Sequence, residues 1–99
     1  MTANRRLTTE QVVEVSVPEV DRATRARFEV EITSAAPLEA QCLVLDLTNV
    51  TFLDCGGAAT VLEIDRSMAA AGGRLVLRNT GRGVRRVLEL VGARPDLFA

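Results

Sequence analysis

An acid, a thiol and two glycines follow one another at Asp54, Cys55, Gly56 and Gly57, directly after the run Thr51-Phe52-Leu53. Their types could support chemistry, so their spacing is the first test. A cysteine-based phosphatase loop needs an arginine six residues after Cys55, where Val61 stands, and a redox pair needs a second cysteine at the position of Ala58. Both thiol chemistries are excluded. The twelve basic residues are all arginine and there is no histidine. A Walker lysine, a Schiff base, an imidazole base and a histidine metal ligand are therefore all missing. With no base beside it, Cys55 reads as a small, semi-buried residue. Asp46 and Asp54 have no third acid clustered with them in the sequence, and Asp46 reads as a strand residue at a loop. We expect no enzyme, no cofactor and no metal.

Asp54 has a structural use instead. It stands where a helix begins, and its carboxylate can accept hydrogen bonds from the first free backbone amides. Gly56 and Gly57 then occupy the first helical turn, where each costs roughly 1 kcal/mol relative to alanine. Something other than helix propensity must place them there. Either the turn packs closely on a neighbouring strand and loop, or a ligand or partner backbone approaches it. The position suits the second reading as well, because ligands of open α/β sheets gather beyond the carboxyl ends of strands.

The elements that position this turn follow from hydrophobic periodicity. Val12 to Val17 alternates apolar and polar residues and reads as a strand stopped by Pro18. Cys42 to Leu47 is almost continuously apolar, as expected of a central strand covered on both faces. Arg74 to Arg78 is a shorter strand of the same kind. The gaps between them hold one helix each, which predicts parallel strands joined by right-handed crossovers. In the second gap Ala58, Val61, Leu62, Met68 and Ala69 share a face that Ile64 widens, and Gly72-Gly73 supplies the stop. A third helix follows Thr80, with Val84, Val87, Leu88 and Val91 inward, Arg82, Arg85, Arg86 and Glu89 outward, and Gly92 and Pro95 at its close. The first gap is ambiguous, since Phe28, Val30 and Ile32 alternate like a strand while Phe28, Ile32 and Ala35 fit a helix. We read a helix there, started by Asp21, because parallel strands require a crossover. Residues 4–11 are too polar for a core strand, which leaves a short edge strand or a free end.

Ninety-nine residues, 47% hydrophobic and 25% charged, suit one small globular domain over residues 1–99 with a core at about 11–92. No apolar run approaches the ~20 residues that cross a bilayer. The first ten residues lack the apolar stretch of a signal peptide. We expect a cytoplasmic protein with no membrane insertion. A net charge of −1 with scattered arginines makes nucleic acid a poor partner. Cys42 and Cys55 should be free thiols, because an extended chain would hold them apart.

The residues together carry a resemblance. An apolar strand, the loop Val50-Thr51-Phe52-Leu53-Asp54, the turn Asp54-Cys55-Gly56-Gly57, the strand start at Gly72-Gly73 and the final helix Val84-Arg85-Arg86-Val87-Leu88-Glu89-Leu90 resemble the STAS domain of bacterial anti-anti-sigma factors. The likeness spans about residues 42–92, and Ser16 to Thr24 corresponds more loosely to a further family turn. It implies a mixed, mostly parallel sheet of three to five strands with helices packed mainly on one face. It also implies a partner, an anti-sigma factor with a GHKL-type kinase fold. Such domains bind that kinase when unphosphorylated and so allow transcription. Phosphate placed by the kinase on a serine in the helix-opening turn breaks the complex.

Transferred residue by residue, the resemblance gives partner contacts at Asp21, Thr51, Asp54, Cys55, Gly56, Gly57 and Thr60. Gly56 falls where the phosphorylated serine would stand, and glycine has no hydroxyl. This chain is therefore expected to take no phosphate there and to stay binding-competent, with Thr60 and Thr51 as fallback acceptors only. Pro18 replaces the family's glycine ahead of Glu19 and Asp21. The alternative implied by the same fold is a scaffold or accessory subunit of a sensory complex or a membrane lipid-transport system.

Overall fold

Three parallel strands carry the register from which the rest is built. The computed structural model describes residues 10–35 and 41–99, in the order β1 (Glu10–Glu14), β2 (Glu19–Val20), α1 (Arg25–Ala35), β3 (Cys42–Asp46), β4 (Phe52–Leu53), α2 (Cys55–Ala70), β5 (Arg74–Arg78), α3 (Arg82–Leu90). The sheet order is β1-β3-β5, all parallel, with Val13, Leu45 and Leu77 aligned across it. The two-residue strands β2 and β4 form a separate parallel pair. A 3-10 turn follows at Pro95–Leu97.

Strand alternation sorts the side chains between the two faces. Val13, Leu43, Leu45, Leu75 and Leu77 lie on the face that meets the core cluster with Phe28, Ile32, Val61 and Leu88 of the three helices. The other face bears the row Val12, Val44 and Val76, none of which joins that cluster. Every residue of β3 is buried, as the apolar run predicts, but its even-numbered side chains turn away from the helices. The helices thus pack on one face, as the family resemblance implies.

The ambiguous first gap is a helix. Phe28 and Ile32 are fully buried while Val30 is 61% exposed, which is a helical spacing and not a strand alternation. Ala35, expected on the same face, is exposed, as is Ala69 in α2. The first strand begins at Glu10 and not at Val12, because strand ends follow the pairing with Cys42 and not the polarity of Glu10 and Gln11. Val15 still donates its amide to Asp46 O at 3.1 Å beyond the strand end. The N-terminal part of the expected edge segment, residues 4–9, lies outside the described residues. At the other end Leu97 is fully buried, and Ala99 donates to Leu77 O at 2.8 Å. The core therefore runs past residue 92.

Helix stops match the sequence signals. Gly72 and Gly92 have φ of +84° and +103°, the left-handed conformation glycine adopts without penalty after a helix.

Candidate functional site

The turn at the head of α2 is built on its cap. Asp54 has extended backbone, and its Oδ1 accepts the amide of Gly57 at 2.7 Å, so it caps α2 as the sequence predicts. Parallel pairing holds the turn in place from the side. Glu19 aligns with Phe52 and Val20 with Leu53, and the Asp54 amide donates to Val20 O at 3.0 Å.

The loop before α1 joins the same site. Pro18 gives up no needed donor, because its carbonyl is the group in use: it accepts both the Thr51 amide at 2.8 Å and the Thr51 Oγ1 hydroxyl at 3.1 Å. Asp21 Oδ1 accepts the amides of Ala23 at 2.9 Å and Thr24 at 3.1 Å, and Thr24 Oγ1 accepts the Asp21 amide in return. This reciprocal closure works like a capping box and fixes the turn leading into α1. Asp21, Thr51 and Asp54 are thus brought to one end of the sheet, beyond the carboxyl ends of its strands.

The two glycines have different reasons to be glycine. A Cβ on Gly57 would stand 2.7 Å from Val20 Cγ1 and 2.8 Å from Leu53 Cδ1, so close packing on the β2–β4 pair requires glycine there. A Cβ on Gly56 would instead stand 2.0 Å from Arg25 Nη2. Arg25 comes from the first turn of α1 and reaches Asp54 Oδ2 at 3.4 Å. No motif or periodicity in the sequence marks it. The available signal was its place at a helix start, where the dipole opposes a cation.

Gly57 and Thr60 do not belong to the outer surface. Gly57 is buried, and Thr60 is 6% exposed with its hydroxyl donated to Gly56 O at 3.2 Å. Thr60 falls on the inward stripe with Gly57, Val61 and Ile64, which takes it away from any approaching partner. Cys55, Thr51 and Phe52 are exposed, Phe52 by 50%. Asp21, Arg25, Asp54 and Gly56 are half-buried. Cys55 and the buried Cys42 are both free.

Asp46 sits in a separate polar cluster at the end of β3. Thr48 donates its hydroxyl and its amide to Oδ1, Asn79 Nδ2 lies 3.2 Å from Oδ1, and Arg78 Nη2 lies 3.4 Å from Oδ2. These donors, Thr48 foremost, hold the Asp46 carboxyl down at about 2 although burial opposes them. Asn79 adopts φ of +58° to reach it, a conformation asparagine tolerates better than most residues. The cluster ties β3 to β5. No group of acids and cysteines that could hold a metal occurs among the described residues. No helix among them is long and apolar enough to cross a membrane.

A STAS domain profile matches residues 7–97. No curated protein sequence matches the chain significantly. Among solved structures, the anti-sigma factor antagonist SpoIIAA in its unphosphorylated form is 24% identical with a TM-score of 0.65, over 97% of this chain and 84% of that one. The Bacillus cell fate determinant SpoIIAA in its phosphorylated form is 21% identical with a TM-score of 0.65, over 97% and 87%. The murine anion transporter Slc26a9 in its inward-facing state is 17% identical with a TM-score of 0.73, over 89% of this chain and 14% of that one. At these identities the likeness establishes the fold.

Proposed function

We propose, for a chain that belongs to the STAS domain family, the role of an anti-sigma factor antagonist that binds an anti-sigma factor of kinase fold and so regulates sigma-dependent transcription. Binding is the whole of the activity in this reading, and no catalysis is assigned. The surface is the end of the sheet where Asp21, Thr51, Asp54, Cys55 and Gly56 meet, with the half-exposed Phe52 among them.

The observation that carries the proposal is the capped turn itself. Asp54 closes it through Gly57 beyond the strand ends, and Gly56 stands where the family resemblance sets the regulatory serine. A phosphate would place nearly two negative charges beside Asp54 and break an interface there. Glycine offers no atom to esterify, so the surface stays permissive. The likeness to SpoIIAA in both its phosphorylation states supports the reading at the level of fold.

The test is functional release. A purified kinase-fold anti-sigma factor that silences its sigma factor in run-off transcription should lose that hold when this chain is added. Continued silencing at saturating chain, across the kinase-fold anti-sigma factors of the source genome, would remove the proposal. A second reading, a STAS scaffold or accessory subunit held constitutively in a larger assembly, is supported by the superposition on the transporter segment. Co-purification with a permease or a transport ATPase would favour it.

A further inference from the structure

Gly56 and Arg25 form a matched pair. The guanidinium fills the space that any other residue at position 56 would need, with Nη2 at 2.0 Å and Cζ at 2.3 Å from the Cβ such a residue would carry. Its bonding there is incomplete. Nη2 has one long contact of 3.4 Å to Asp54 Oδ2, and Nε is buried without a hydrogen-bond partner. The other oxygen of Asp54 is spent on the Gly57 amide. A guanidinium carries five N–H donors in a planar fork that matches a carboxylate bidentately. Here the side chain is 39% exposed, so its terminal nitrogens remain within reach of a second molecule. Arg22, exposed in the turn before α1 and without an ion pair among the described residues, adds a second positive charge. Asp21 beside it is engaged with the amides of Ala23 and Thr24.

We propose that Arg25 is a partner-recognition residue, seated on Gly56 in the place of the regulatory hydroxyl, and that the group it takes from the partner is a carboxylate. The inference rests on the docking role argued above and deepens it. A phosphoserine at position 56 would offer a partner nearly two negative charges, whereas this chain presents at the same point a guanidinium only loosely paired with Asp54, at 3.4 Å. A partner acid that a phosphate would repel is attracted here. Such complementarity sets specificity and register at an interface. It follows that a serine introduced at position 56 takes the space of the guanidinium and turns Arg25 out towards solvent.

Two measurements separate the seat from the docking. Proton–nitrogen spectra of the native chain should contain an Arg25 Nε–H that exchanges slowly with water, assigned by its disappearance in Arg25→Gln. Gly56→Ser should move that resonance to the position of a solvated arginine and speed its exchange by about tenfold or more, as burial is lost. An unmoved resonance would overturn the seat. In a calorimetric titration with a purified kinase-fold anti-sigma factor, Arg25→Gln should weaken binding by about tenfold and Arg25→Glu by about a hundredfold, with Arg25→Lys between native and Gln. Native affinity in Arg25→Glu would overturn the recognition role. If no such factor binds even the unsubstituted chain, the docking role and the recognition role fall together, while the spectra still decide the seat.

Discussion

Asp54 Oδ1 accepts the backbone amide of Gly57 at 2.7 Å, and this bond fixes the start of α2 against the β2–β4 pair. Removing an N-cap acceptor costs about 1 kcal/mol, within a range of roughly 0.5–2. Asp54→Ala should lower the unfolding free energy by about that amount in urea titrations, whereas Asp54→Asn should keep most of it. Equal losses in the two variants would show that the cap is not what Asp54 supplies to stability.

The two adjacent glycines should respond in opposite ways. Gly57→Ala drives a methyl against the buried Val20 and Leu53, and overpacking of this kind costs about 1–3 kcal/mol. The helix-propensity gain of about 1 kcal/mol recovers only part of it. Gly56→Ala meets the movable end of Arg25 instead. Its thermal midpoint should equal or exceed the native one, with Gly57→Ala clearly below both. The reverse order would contradict the packing described for this turn.

Asp46 gives the fold an acid-sensitive tie. Its folded carboxyl titrates at about 2, below the ordinary 3.8, chiefly because Thr48 donates to the charged form. The stabilisation is complete above the unfolded value and is lost as pH falls from about 5 towards about 2. Native chain and Asp46→Asn, compared by urea midpoint, should differ at neutral pH and converge over that acid range. A difference that stays constant down to pH 2 would contradict the assignment.

Leu97 should matter as much as a residue of the central strands. It is fully buried in the core cluster although it comes from the three-residue turn near the end of the sequence. Leu97→Ala should cost about 2–5 kcal/mol, as large-to-small changes in cores do. A loss below about 1 kcal/mol would place this segment outside the cooperative core.

What could be read from the sequence tracks the length of each signal. α2 and α3 carry periodic runs closed by glycines, α2 with its Asp54 cap, and β3 a continuous apolar run, and all three are where those patterns put them. The first crossover was decided by topology and not by pattern, and the outward Val30 bears that choice out. β2 and β4 are two residues each, too short for any period, and exist only through their pairing. Thr60 enters as a partner contact and fallback acceptor through the resemblance alone, whereas its helical face turns it inward. The spacing from Gly57 by three residues already puts it on the inward stripe. Arg25 was missed because its contact with Asp54 joins residues 29 apart in sequence, and no local pattern reports that. Leu97 lay beyond the last helix, where one apolar residue among polar ones carries little weight.

The decisive measurement is the fate of the complex when ATP is added. Kinase-fold anti-sigma factor, native chain and magnesium-ATP should be incubated together, with the complex followed by size-exclusion chromatography and the chain by intact mass. A chain of unchanged mass that stays in the complex for as long as a serine-bearing relative takes to be phosphorylated and released is the expected result. A mass increase of one phosphate on the native chain, accompanied by its loss from the complex, would contradict the permanently permissive surface argued from Gly56.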